Sequence, residues 1–129
     1  MATGLSSAVA NAILDAYCRS VAWTEPVAFF VKLHLGDPGA AGAGSPATET
    51  TRKAITFSAA SGGAITNSGA VSWTSYPAAE TITHVSFWDA LTAGTFIGSD
   101  ALATSRTPAI GDTVTLAAGD LDLSLPVAA

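Results

Sequence analysis

Apolar side chains near the start of the chain recur with the period of a helix. Leu5, Val9, Ile13 and Tyr17 follow one another every four residues within residues 5–19, with alanines beside them. This spacing places one apolar stripe along a helix. We therefore expect one amphipathic α-helix, which either closes an end of its own domain's core or packs against a neighbouring subunit.

From residue 27 onwards the pattern changes to that of β-strands. Short runs rich in β-branched and aromatic residues are separated by turn-forming Gly, Pro, Ser and Asp, at intervals near ten residues. The pattern predicts an all-β fold, an antiparallel β-sandwich of about seven or eight strands with one N-terminal α-helix. The predicted strands lie within residues 27–35, 53–58, 64–75, 81–89, 95–103 and 112–125.

The change of pattern also suggests how the chain is organised. Residues 1–26 form an N-terminal helix and linker, and residues 27–129 form the β-sandwich domain. A chain of 129 residues can build one hydrophobic core but not two. Gly, Ala, Pro and Ser dominate residues 36–50, which predicts a long loop of the kind that usually makes contacts.

The composition excludes several classes of partner. Only 12% of the residues are charged, and the net charge is −5. So few charges suit either a subunit covered by its neighbours or a small, tightly turned domain. Lys and Arg do not cluster beyond Arg52 and Lys53, so nucleic-acid binding through phosphates is not expected. No apolar run is long enough to cross a membrane, and the N-terminus lacks the basic region of a targeting sequence.

A histidine and an aspartate in "THVSFWDALTAGTFIGS", residues 83–99, raise the question of an active site. Alternation along a strand puts His84 and Asp89 on opposite faces, whereas an acid–base couple needs them within hydrogen-bond reach. Asp89 stands where a strand ends, a position at which carboxylates hold turns. The segment is therefore predicted to be a hairpin.

Other catalytic and metal patterns are equally weak. The chain has no G-x-S-x-G motif, and His34, Asp37 and His84 lack the local spacing of a metal site. We predict no catalytic residue, metal ligand or cofactor. A hydrolase or metal enzyme built on His84 stays open as an alternative. So does a carbohydrate-binding module, which would need an exposed cluster formed from Trp73, Tyr76, Phe87, Trp88 and Phe96.

Three separated strings carry a resemblance to a known family. They are "VKLHLGDPGAAGAGSPATETTRKAITFSAASGGAITNSGAVSW", "ETITHVSFWDALTAGTFIGSDAL" and "IGDTVTLAAGDLDLSL". The matching residues are His34, Asp37, Pro38, Arg52, Phe57, Gly62, His84, Trp88, Asp89, Gly111, Asp112, Gly119 and Asp120. In this order they resemble small virion proteins of actinobacteriophages and other siphovirus-type tailed phages, which are labelled tail fibre, minor tail or virion structural proteins.

The resemblance implies a β-sandwich without catalysis, located in the virion and made in the host cytoplasm. The expected function is that of a structural subunit of the minor tail or tail-fibre type, with a capsid decoration protein as the alternative. The expected partners are other virion proteins and further copies of the chain, a trimer first. The expected subunit interface comprises Leu5, Val9, Ile13, Tyr17, Asp37 and Pro38.

Overall fold

A computed structural model describes residues 3–128 of the chain. The helix is α1 (Ser7–Arg19). The strands are β1 (Gly4–Leu5), β2 (Phe29–His34), β3 (Lys53–Ile55), β4 (Ala64–Thr66), β5 (Val71–Trp73), β6 (Ile82–Trp88), β7 (Phe96–Arg106), β8 (Val114–Leu116) and β9 (Asp122–Ser124). The predicted all-β fold with one helix near the N-terminus is confirmed. The strand that the pattern did not predict is the two-residue β1.

Helix α1 begins and ends with serine caps. The side chain of Ser6 accepts a hydrogen bond from the backbone N–H of Val9, as an N-cap residue should. Ser20 adopts a left-handed conformation with φ of 56°, and its N–H donates to the carbonyl of Asp15. The capping residues therefore account for the bounds of the helix.

The larger sheet has five strands in the order β1-β7-β6-β2-β3, and its paired strands are antiparallel. Its inward side chains include Val31 and Leu33 from β2 and Val85 and Phe87 from β6, all with no exposed surface. Period-two alternation from β6 would place Ile82 on the other face. A register shift between Ile82 and His84 interrupts that alternation, and Ile82 joins the core instead.

The second layer is built from two short antiparallel pairs, β4 with β9 and β5 with β8. Residues 64–73 run alongside residues 114–124, so the two pairs lie end to end. Trp73, Leu116 and Leu121 from this layer are buried in the same cluster as the inward side chains of the larger sheet. The two layers thus share one core, as in a sandwich.

The Asn-Ser-Gly sequence at residues 67–69 is an interruption between two pairs rather than the turn of a hairpin. Asn67 is 1% exposed. Its side-chain carbonyl accepts from the N–H groups of Gly119 and Leu121. Its side-chain amide donates to the carbonyls of Gly69 and Ala117. Asn67 therefore joins the two strand pairs by side-chain bonds where the backbone ladder is broken.

The long loop at residues 36–50 folds back beside β2. Leu35 donates to the carbonyl of Ser45, and Ala47 donates to the carbonyl of Leu33. Gly42 is buried with φ of 72°, and a Cβ atom there would lie 2.4 Å from the ring of Phe96. The loop therefore covers part of the outer face of the larger sheet, and only glycine allows this approach.

Candidate functional site

The N-terminal arm, residues 3–19, is held on strand β7 by few contacts. Gly4 and Leu5 pair with Ser99 and Gly98, and the N–H of Ser6 donates to the carbonyl of Ile97 over 2.7 Å. Of the predicted stripe, Leu5 and Val9 pack against the core while remaining partly exposed. No residue of α1 is buried, so the helix lies on the surface of the sandwich.

Large apolar side chains of α1 and of the linker, residues 20–28, remain exposed to solvent. Tyr17 is 91% exposed and Leu14 is 60% exposed. Val21, Trp23 and Val27 of the linker are also exposed. Soluble monomers usually bury such groups or scatter them singly. Tyr17 and Trp23 line the same open pocket, and exposed apolar side chains grouped in this way are typical of a surface that contacts another protein.

A cleft lies on each side of the helix. One, of 340 Å³, separates α1 from the linker and is lined by Val9, Ala12, Trp23, Pro26 and Ile97 among others. The second, of 240 Å³, is lined by Leu5 and Ile13 of the arm and by Ile65, Leu123 and Leu125. Both linings are mostly apolar. The helix therefore packs incompletely on its own domain.

The six residues predicted to form the subunit interface do not share one environment. Leu5, Val9, Ile13 and Tyr17 lie on the arm, and Tyr17 is the most exposed of them. Pro38 is fully buried within the chain. Asp37 is half-buried, and one carboxylate oxygen accepts from the N–H of Gly39. Their role in subunit contacts stays a prediction.

A buried histidine and a buried serine are joined by a series of hydrogen bonds beneath the 36–50 loop. The Nε2 atom of His34 lies 2.7 Å from the Oγ atom of Ser86, and its Nδ1 atom lies 2.7 Å from the carbonyl oxygen of Gly44. The indole N–H of Trp88 donates to the same Oγ atom. Burial, the largest cause, lowers the pKa of His34, and the charges of Lys32 and His84 lower it further.

The His34–Ser86 pair has the spacing of a base and its nucleophile. However, both side chains have no exposed surface. A substrate cannot reach the hydroxyl in this conformation, so the pair is suited to holding the 36–50 loop on the sheet. Alternation along β2 places His34 on the face away from Val31 and Leu33, but nothing in the sequence points to Ser86 as its partner.

His84 and Asp89 make hydrogen bonds to different partners. His84 is half-buried on β6, and its Nδ1 atom lies 2.7 Å from the hydroxyl of Thr83. Asp89 accepts from the N–H of Thr95 at the far side of the turn. The segment is a hairpin between β6 and β7, as predicted, and Asp89 stabilises its turn.

The aromatic residues proposed as a sugar-stacking cluster are mostly inside the protein. Trp73, Tyr76 and Phe87 are buried. Trp88 and Phe96 are half-buried and pack on each other, with ring centroids 5.5 Å apart. The guanidinium of Arg52 covers Trp88 at 4.0 Å from the ring centroid. These five residues do not form the exposed cluster that a carbohydrate-binding module would need.

Two features of residues 3–128 bear on other chemistry. Within that range, His, Cys, Asp and Glu side chains form no group of three or more that could hold a metal ion. In the same part of the chain, helix α1 is too short to cross a membrane, and no other helix of sufficient length and apolarity exists. The single cysteine, Cys18, is free and exposed.

Comparison with known proteins identifies the family. A search of curated proteins found no match. A protein-family model described as "Podophage GP4 fiber I protein gp80" matches residues 4–124, almost the whole chain. The fibre-type assignment agrees with the sequence resemblance, whereas the phage type differs, since this description names a podophage and the resemblance was to siphovirus-type phages. The matched range includes α1, both layers of the sandwich and the 36–50 loop, and the chain belongs to this family of phage fibre proteins.

Proposed function

We propose that the chain is a non-enzymatic structural subunit of the phage tail, of the minor tail or tail-fibre type. It assembles with further copies of itself, first as a trimer, and with other virion proteins. It is made in the host cytoplasm and ends in the virion. Membership of the fibre family supports the location, and the surface of α1 and the linker supports the assembly.

The observation that carries this proposal is the exposed apolar surface of the arm and the linker. Tyr17 and Trp23 line one open pocket, and with the exposed Leu14 they offer apolar area that is favourable to bury. Tyr and Trp are enriched at the centres of protein interfaces because they combine large apolar area with a polar tip. The charged residues of α1 and the linker are Asp15 and Arg19, which pair with each other, and Glu25.

We propose the same surface as the main subunit interface, with Leu5, Val9, Ile13 and Tyr17 as its arm residues. Asp37 and Pro38 belong to the proposal in a different way. Because Pro38 is buried by its own chain, these two residues would shape the loop that meets a neighbour. Residues 1–26 then act as an attachment segment, and residues 27–129 act as the body of the subunit.

Labelling of phage particles with gold-conjugated antibodies tests the location. Label along the tail or at its end is expected, seen by electron microscopy. Label over the heads would support a capsid decoration protein and reject the tail assignment. Particles without label, with the protein free in the lysate, would reject the virion assignment as a whole.

Sedimentation velocity of the purified chain tests the interface. The wild-type protein is expected to sediment as a homo-oligomer. Tyr17→Glu places a charge on the exposed end of the stripe and is expected to shift the protein towards monomer. Thr74→Glu, at an exposed position that follows β5, is the control and should leave the mass unchanged. Equal masses for wild type and Tyr17→Glu would reject the role of Tyr17.

A further inference from the structure

The edge of strand β7 is a docking site built for the N-terminal arm. The backbones of β1 and β7 pair at Gly4–Ser99 and Leu5–Gly98. A Cβ atom at position 98 would lie 2.7 Å from the carbonyl oxygen of Gly4 and 3.0 Å from the side chain of Leu123. Glycine at position 98 is therefore what lets the arm approach so closely. The structure thus identifies which segment fits this edge.

The connection between the arm and the body is long and loosely held. Linker residues 20–28 contain no helix or strand. Beyond the helix cap Ser20, this linker makes one backbone hydrogen bond outside the helices and strands among the described residues. Val21 donates it to Asp15, which lies in the arm itself. Nine extended residues span up to about 30 Å. A linker of this length does not oblige the arm to dock on the β7 edge of its own chain.

Docking within one chain leaves much of the arm's apolar surface unused. It provides two residue pairs of ladder and the bond from Ser6 to Ile97. It buries no helical residue and leaves Tyr17 and Trp23 exposed. The β7 edge of another copy offers the same bonds, because its atoms are identical. Exchange of an identical element between subunits therefore keeps these contacts. It also holds two copies side by side, so that the neighbouring copy can cover the side chains that the docking site itself leaves exposed.

We propose that the arm of one subunit docks on the β7 edge of a second copy of this chain, so that the subunits are joined by exchanged arms. This inference rests on the proposed homo-oligomer and specifies how it is held together. The site receives residues 4–9 of the neighbour, with Gly98 at the closest approach and Leu5 and Val9 inserted beside the core.

Cross-linking between the arm and β7 tests the exchange in the full-length chain. Val9 and Ile97 line the same cleft. The variant Val9→Cys/Ile97→Cys, with the exposed Cys18 replaced by Ser, is treated with a short bismaleimide and separated on a denaturing gel. Covalent oligomers are expected, because each arm thiol meets the β7 thiol of a neighbour. A product joined only within the chain, or no cross-linked product, would overturn the exchange.

Mixing two single-thiol variants removes chance collisions from the result. Val9→Cys and Ile97→Cys, both lacking Cys18, are refolded together, and a covalent heterodimer is expected. The control is each variant alone, which should give far less product. A heterodimer yield no higher than that of the single variants would contradict the proposal.

Substitution of Gly98 provides a second readout with a matched control. Gly98→Ala is expected to shift the protein from oligomer to monomer in sedimentation velocity. Gly69→Ala, at a position where an added Cβ meets no atom within 4 Å, should keep the wild-type mass. A folded Gly98→Ala protein of wild-type mass would overturn the proposal, and a variant that fails to fold leaves the decision to the cross-links. A monomeric wild-type protein would reject the homo-oligomer itself, whereas an oligomer with intrachain cross-links would reject only the exchange.

Discussion

The Oγ atom of Ser86 donates to the Nε2 atom of His34 across 2.7 Å. The direction follows from the other side of the ring, where Nδ1 lies 2.7 Å from the carbonyl oxygen of Gly44 and must carry the proton. Ser86 also accepts from the indole N–H of Trp88. Each polar atom in this series of hydrogen bonds therefore has a partner. The series ties the 36–50 loop to strands β2 and β6.

Removal of the Ser86 hydroxyl should destabilise the protein. In Ser86→Ala, Nε2 of His34 and the indole N–H of Trp88 both lose their buried partner. Leaving a buried polar group unpaired costs about 1–3 kcal/mol, so we expect a loss of that size in the free energy of unfolding measured in urea. The control is Ser72→Ala, whose hydroxyl bonds Thr115 at an exposed position, and it should change stability by less. Equal losses would show that the buried hydrogen bonds of Ser86 contribute no more to stability than the exposed hydrogen bond of Ser72.

The stability of the protein should depend on pH through His34. Burial lowers the pKa of His34 in the folded state below its ordinary value of 6.5. As the pH falls below 6.5, the unfolded chain takes up a proton that the folded protein resists, so the free energy of unfolding decreases. The decrease ends at the folded-state pKa, and its slope is at most about 1.4 kcal/mol per pH unit for one proton.

Urea unfolding at several pH values between about 7 and 5 measures this slope. His34→Gln should remove the part of the slope that comes from this ring. His84→Gln, which replaces the half-buried histidine, should retain it. A slope that persists in His34→Gln and disappears in His84→Gln would assign the pH dependence to the wrong histidine and contradict the prediction.

The sequence allowed the periodic parts of this fold to be predicted, and the reasons for the failures are specific. Helix α1 and strands β2 to β9 follow from spacing, because burial of one face imposes a period. The pairing of Ser86 with Lys32 across β2 and β6, which brings Ser86 beside His34, depends on register between distant segments. The register shift that places the Ile82 side chain in the core is likewise set by the pairing of β6 with β7. Local patterns do not encode either.

Asn67 shows the same limit from another side. "NSG" has turn-forming composition, and the sequence therefore predicts a turn or a bulge. Its side chain instead bonds residues about 50 positions away, at Ala117, Gly119 and Leu121.

For the candidate interface, the stripe on α1 was visible in the sequence. The burial of Pro38 was not, since it depends on how the loop folds back.

Asn67→Asp should be strongly destabilising at neutral pH. The new carboxylate keeps an acceptor for Gly119 and Leu121. It also places an oxygen against the carbonyls of Gly69 and Ala117, where the amide donated. Together with burial of a charge, this should cost about 3 kcal/mol or more, and acidification should recover part of the loss. Asn11→Asp on the exposed side of α1 is the control. A neutral Asn67→Asp variant in urea unfolding would refute the bonding scheme.

Gly42→Ala tests the close approach of the loop to Phe96. The substitution adds a Cβ atom 2.4 Å from the ring, at a residue with φ of 72°. Gly62→Ala is a matched control, because Gly62 has φ of 61° but an added Cβ meets no atom within 4 Å. Both variants bear the cost of a left-handed conformation, about 1–2 kcal/mol. Gly42→Ala should lose about 1–3 kcal/mol more, from overpacking. Equal losses in thermal or urea unfolding would mean that the loop is free to move away.

Arg52 holds the turn between β6 and β7 in a way that lysine cannot copy. One guanidinium nitrogen donates to the carbonyls of both Ala90 and Ala93, while the group lies over the ring of Trp88 at 4.0 Å from the centroid. A planar, charged group can stack and donate in its own plane at once, whereas an ammonium on a flexible stem cannot keep this geometry. Arg52→Lys should therefore loosen the turn without removing the charge.

Hydrogen exchange measures the loosening directly. The amide of Thr95 donates to Asp89 at the end of this turn, and it should exchange faster in Arg52→Lys than in the wild type. The loss of stacking and of one hydrogen bond should lower stability by about 1–2 kcal/mol. Arg19→Lys changes an arginine whose partner, Asp15, is on the exposed helix surface, and it should leave both quantities nearly unchanged because exposed ion pairs contribute little. Unaltered exchange at Thr95 in Arg52→Lys would show that Asp89 alone is sufficient to hold the turn.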